Sequence, residues 1–286
     1  MLHNSHKIIT TILLFISLQS SAQSGADSIT TELKPTTQIT FGAGFASKLH
    51  YFGRTDSLQS SAFVPSVAIN FTNGLYIGGS FIFINNTSAS LAYTAAITEA
   101  GYKFGKNVGI AGSIYVDKFF YANSSSLVQS VQKGQAGFAL SHLNKIIDIN
   151  SGASAVFSDK TDFFVYGGID HSFRKEYRKC IFLIVPSVTV NAGTQNFTKT
   201  YYKKRNVLFL PVADESVTES GRKFQVLSYE ASIPVTFVYN KLAVSFIPAY
   251  VIPQNVIKVA NRPDLSENAS NLFYANIGVS YTLGRQ

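Results

Sequence analysis

The chain has 286 residues, and only 14% of them are charged, against roughly 25% in soluble domains. It carries 23 Phe, 15 Tyr and no Trp, with one cysteine, Cys180, which excludes an internal disulfide framework and any multi-cysteine zinc or iron–sulfur site. The net charge of +8 sits mainly in connecting segments and not on a helix or an aromatic platform, so nucleic acid is not an expected partner and anionic lipid headgroups are.

Residues 1–22 read as a cleaved export signal. His3, His6 and Lys7 precede the apolar run Ile8 to Leu18, and Ser20-Ser21-Ala22 before Gln23 supplies small-x-small cleavage chemistry. That run is shorter than the roughly 20 residues a spanning helix needs. Residues 23–37 are polar and read as a flexible periplasmic lead-in. No later apolar stretch reaches spanning-helix length. A low-charge, aromatic-rich exported chain then has one membrane solution, a closed barrel whose strands satisfy every backbone N–H and C=O.

Residues 38–286 are therefore expected to form an all-β, up-and-down antiparallel transmembrane barrel. Alternation marks twelve strands, near 38–49, 62–72, 75–85, 90–103, 107–120, 128–142, 146–157, 162–173, 180–193, 224–239, 242–252 and 272–284. In the last, Phe273, Ala275, Ile277, Val279, Tyr281 and Leu283 share the lipid face, and Leu272, Tyr274, Asn276, Gly278, Ser280 and Thr282 the lumen face. In 224–239 the outward set is Leu227, Tyr229, Ala231, Ile233, Val235, Phe237 and Tyr239. Glu99 falls in phase with Leu91, Tyr93 and Ile97, so a bulge is needed to turn it inward.

The connections alternate in length. Short ones include Asn73-Gly74, a two-residue hairpin signal, and Asn240-Lys241. The long ones, near 50–61, 194–223 and 253–271, all fall on the other side, as external loops do. Tyr51, Tyr102, Tyr121, Tyr239, Tyr250 and Tyr281 lie near strand ends, where interfacial aromatic girdles sit.

The Ser21-Ala22-Gln23 signal end, the Tyr- and Phe-rich strands and the closing Phe273-Tyr-Ala-Asn-Ile-Gly-Val-Ser-Tyr-Thr-Leu283 strand resemble Bacteroidota outer-membrane β-barrel proteins. The resemblance implies a Gram-negative outer membrane and insertion by the barrel-assembly machinery. It implies no substrate.

No catalytic, cofactor or metal site is expected. Ser141-His142 and His171-Ser172 are chain neighbours, and strand neighbours point to opposite faces, so neither is a local dyad. Strand phase turns Lys48, Glu99, Asp117, Asp170 and Glu230 inward, either as a polar pore lining or as paired charges in a packed interior. In the loop 194–223, Lys199, Lys203, Lys204 and Arg205 precede the apolar Val207 to Pro211. That segment reads as a lumenal plug, a rim on lipid phosphates, or a strand-extending hairpin. The expected function is passive passage of small solutes. The alternatives are a structural or adhesion barrel displaying its loops and, third, an outer-leaflet lipid hydrolase. Sequence sets no oligomeric state.

Overall fold

A computed structural model describes residues 36–55, 58–105, 109–122, 132–196, 223–256 and 269–284. The signal segment and most of the lead-in lie outside them. Every element among the described residues is a strand. These are β1 (Gln38–Ala46), β2 (His50–Tyr51), β3 (Arg54–Thr55), β4 (Ser61–Asn70), β5 (Leu75–Asn86), β6 (Ala89–Gly105), β7 (Gly109–Tyr121), β8 (Gly134–Leu143) and β9 (Asp148–Phe157). The second half has β10 (Thr161–Asp170), β11 (Phe173–Tyr177), β12 (Cys180–Ile184), β13 (Ser187–Gly193), β14 (Gln225–Ser232), β15 (Val235–Tyr239), β16 (Leu242–Pro253) and β17 (Leu272–Leu283). Fifteen of them form one antiparallel sheet that closes through the β1–β17 and β16–β17 pairings. β10 with β11, β12 with β13, and β14 with β15 are single staves interrupted partway, so the wall has twelve up-and-down staves.

The interruptions have one cause. They fall at His171-Ser172, Val185-Pro186 and Ile233-Pro234, and the next stave carries Pro248. Proline brings no N–H to the ladder, so each site keeps only half of its exchange. The surviving bonds run from His171 N–H to Pro186 O (3.3 Å), Val185 N–H to Pro234 O (2.9 Å) and Ile233 N–H to Pro248 O (3.0 Å). Register is kept across the gap, with Asp170 opposite Ser187 on one side and Phe173 opposite Ile184 on the other.

Alternation sets the two faces. On β7, Ile114, Val116 and Phe120 are exposed while Asp117 and Phe119 are buried, and every stave contributes exposed Phe, Ile, Val, Leu or Tyr to the outside. So continuous an apolar exterior is stable only against hydrocarbon. Tyr102, Tyr239, Tyr250 and Tyr281 belong to it. Tyr51 and Tyr121 do not join a girdle. Tyr51 is buried in the interior, and Tyr121 pairs with inward Ala95 and packs on Phe119.

Two bulges decide faces that simple alternation gets wrong. Phe83 pairs with Tyr93 but Ile82 pairs with Ala95, so Thr94 is an extra residue on β6. Beyond it the phase inverts, and Glu99 lies opposite Asp117. On β14, Asn191 faces Ser228 while Ala192 faces Val226, so Leu227 is the extra residue. Leu227 was expected on the lipid face and is instead fully buried, because the bulge rotates it inward. The sixth strand begins at Gly134, with 128–131 outside the described residues, and β1 ends at Ala46 rather than near 49. At Asn73-Gly74 only Gly74 has positive φ (90°), and its N–H bonds Phe71 O. The connection is thus a four-residue turn rather than a two-residue one.

Candidate functional site

The connection near 50–61, expected outside, folds back into the barrel. β2 and β3 pair His50 with Thr55 and Tyr51 with Arg54. The turn between them, Phe52-Gly53, has φ of 51° and 80°, the left-handed pair a tight hairpin turn demands. A bulky aromatic in that region costs free energy that its surroundings must offset. Those surroundings are the opposite stave β10 and the neighbouring stave β17. Phe52 and Tyr51 lie 5.6 and 6.0 Å from the Phe164 ring on β10, and His50 lies 4.1 Å from the Tyr274 ring on β17. Gly53 sits so near Pro253 that an added Cβ would be 3.0 Å from its Cδ.

Arg54 fastens this hairpin. It is 1% exposed. Its Nη1 donates to Phe52 O (3.1 Å) and Leu227 O (3.3 Å), and its Nη2 to Gln254 O (2.9 Å) and Asn255 O (3.4 Å). Backbone carbonyls of β14 and of the end of β16 therefore hold a guanidinium sent from the β1–β4 connection. On the near side, Leu49 packs into an apolar lining of Ala46, Ala62, Ile82, Ile84, Ala95, Ile97 and Phe119. His50 Nδ1 accepts the Gly53 N–H (3.3 Å), which fixes the neutral imidazole. Burial pushes the His50 pKa down from 6.5 to about 3.

Elsewhere the inner wall is polar. Tyr76 Oη donates to Glu99 Oε1 (2.5 Å), Gln135 Nε2 to Asp117 Oδ2 (2.5 Å), and Lys103 Nζ to Asn70 Oδ1 (3.1 Å) while lying 4.8 Å over the Tyr76 ring. Ser141 Oγ donates to Asn150, whose amide donates to Asp170 (each 2.5 Å). Across the barrel Tyr274 Oη donates to Glu230 Oε1 (2.8 Å), and Asn191 Nδ2 to Ser228 Oγ (3.1 Å). Glycines let the rings lie flat on the wall. A Cβ on Gly101 would stand 2.7 Å from the Tyr76 ring and one on Gly137 2.7 Å from Tyr115 Oη, and Tyr166 covers Gly152 in the same way.

Of the sequence-derived lining set, the structure places Glu99 and Asp117 side by side, Asp170 on β10, and Glu230 on β14 against Tyr274. Lys48 lies past the end of β1, half-buried, in the segment leading to the inserted hairpin. Lys199, Lys203, Lys204 and Arg205 lie outside the described residues. Ser141 and His142 diverge, the hydroxyl bonding Asn150 and the imidazole lying exposed between Ile110 and Ile149. His171 packs on Phe173 at 4.5 Å. Among the described residues no three His, Cys, Asp or Glu side chains converge as metal ligands. Sequence reading missed the hairpin His50–Thr55. The only local signal was Phe52-Gly53-Arg54, a turn glycine beside a cation.

No family model and no curated protein matches the chain. Among solved structures it is similar to a KdgM porin (8% identity, TM-score 0.48, covering 86% of this chain and 99% of that one). It is also similar to the NanC porin (11%, 0.46, 86% and 100%) and to LpxR from Salmonella typhimurium (8%, 0.43, 85% and 99%). With every score below 0.5, the barrel assignment rests on the strand pairing and the apolar exterior described above.

Proposed function

We propose that this protein is an outer-membrane channel for small solutes, narrowed from within by its own first connection. One observation carries the reading. A lumen wall of polar side chains runs beside a hairpin of the β1–β4 connection that is fastened to distant staves by the side chain of Arg54. A polar, hydrogen-bonded lining is what a water-filled lumen requires. We further propose, from the style of its strands, a Bacteroidota-type outer membrane as its setting, with anionic headgroups and the barrel-assembly machinery as its partners. The segment 199–205 remains our candidate for a second obstruction or a lipid-facing rim.

The test is conductance of the folded protein in planar bilayers, comparing the natural chain with Arg54→Ala. Openings in the natural chain that enlarge or lengthen in the variant support a channel set by the hairpin. Silence in both, with folding verified by heat-modifiable migration, overturns the channel and leaves a structural barrel displaying its loops.

A further inference from the structure

The β6–β7 wall holds two carboxylates that alternation alone would not have put together. The Thr94 bulge brings Glu99 into register with Asp117, both inward, on adjacent strands. Directly opposed residues of this kind have Cβ atoms roughly 4.5–5.5 Å apart, and like charges so placed destabilise a sheet. The surroundings only partly answer that charge. Glu99 receives the Tyr76 hydroxyl, and Asp117 Oδ2 receives Gln135. Asp117 is 6% exposed, and its other oxygen, Oδ1, is buried with no hydrogen-bond donor. A buried carboxylate oxygen left bare is costly, and a native barrel retains such an atom where something else binds it.

The available donor set is all oxygen: two carboxylates, with the phenolic oxygen of Tyr76 on Glu99. Hard cations prefer such oxygens, whereas softer metals want imidazole or thiolate, which this wall lacks. We propose that Glu99 and Asp117 form a station for a hard, oxygen-preferring cation on the lumen wall. Two protein carboxylates are too few for a tightly held structural ion. The site is an exchangeable one, completed by water, and Lys103 nearby, bonded to Asn70, lowers its net charge. The inference goes beyond the channel reading and does not require conduction.

Tyrosine-sensitised Tb³⁺ luminescence tests it directly, because the chain has 15 Tyr and no Trp, and Tyr76 bonds one of the two carboxylates. The full folded protein in detergent is titrated with Tb³⁺. We expect a saturable signal that falls at least fivefold in Glu99→Gln/Asp117→Asn and at least threefold in Glu99→Gln alone, while Asp170→Asn keeps it. The single variant carries the test if the double one does not fold. Displacement of Tb³⁺ by millimolar Ca²⁺ before K⁺ assigns a divalent ion, and the reverse order a monovalent one. An unsaturable signal, or one unchanged in a folded Glu99→Gln variant, overturns the proposal. Bilayer silence with an intact Tb³⁺ site counts against the channel alone, and conduction without the site counts against the station alone.

Discussion

Arg54 Nη1 donates 3.3 Å to the carbonyl of Leu227, the residue that the β14 bulge turns into the barrel. At this bulge in the β13–β14 ladder the carbonyl accepts both the Gln254 N–H (2.7 Å) and the guanidinium of the inserted hairpin. The wall and its plug were thus shaped together. Arg54 is a buried, multidentate fastener, and its loss leaves three wall carbonyls without that donor.

Arg54→Ala is expected to weaken docking of the hairpin by about 2–4 kcal/mol, since the Gln254 and Asn255 carbonyls lose this donor at roughly 1–3 kcal/mol each and part is regained by water, while the Leu227 carbonyl keeps the Gln254 N–H. Limited proteolysis at residues 50–60 reads the change, with cleavage in the variant and resistance in the natural chain. Arg54→Lys, with a point charge in place of a fork, is expected to fall between them. Equal resistance in all three would remove the fastener role.

The His50 imidazole has a folded pKa of about 3, below its free value of 6.5. Because the folded value is depressed, protonation favours the released hairpin. Docking is at full strength above about pH 6.5 and weakens as the pH falls towards 3, by about 1.4 kcal/mol per unit. Accessibility of the hairpin to a protease active in acid should rise between pH 6.5 and 4, and His50→Gln should flatten that profile. A flat profile in the natural chain would count against the burial of this ring.

Gly137 lies beneath the Tyr115 ring, with room for hydrogen only. Gly137→Ala is expected to cost about 1–3 kcal/mol, the range for overpacking, because the added Cβ would stand 2.7 Å from both the Ala153 carbonyl oxygen and Tyr115 Oη, so strand and ring must both give. Gly167 has no neighbour within 4 Å of an added Cβ. Gly167→Ala should be close to neutral, and equilibrium unfolding from lipid vesicles compares the two.

Val116 and Ser113 lie on opposite faces of β7. Val116 is 54% exposed on the lipid face and Ser113 points inward. Val116→Arg is expected to lose about 2–4 kcal/mol of folding free energy in a bilayer, whereas Ser113→Arg should stay within about 1 kcal/mol. Similar losses for both would mean that the faces are misassigned.

The barrel was legible in the sequence because period-two alternation and alternating connection lengths are local properties. The β17 stave shows it residue by residue, from Phe273 out and Tyr274 in to Leu283 out. The lining residues followed from the same phase, and even the need for a bulge before Glu99 was visible as a conflict along one strand. Leu227 was not, because its bulge is defined only by the strand beside it. The three stave breaks, two at prolines and one opposite Pro186, keep register, which no single strand reports. The hairpin at His50–Thr55 lay furthest from view. Its position depends on Phe164, Leu227, Gln254 and Tyr274, residues more than 100 positions away. Sequence by itself determined the faces of the wall, since lipid and lumen select opposite side chains at every second residue. Only the closed barrel decided what fills the lumen, because that depends on which distant carbonyls and rings closure brings within reach of one buried arginine.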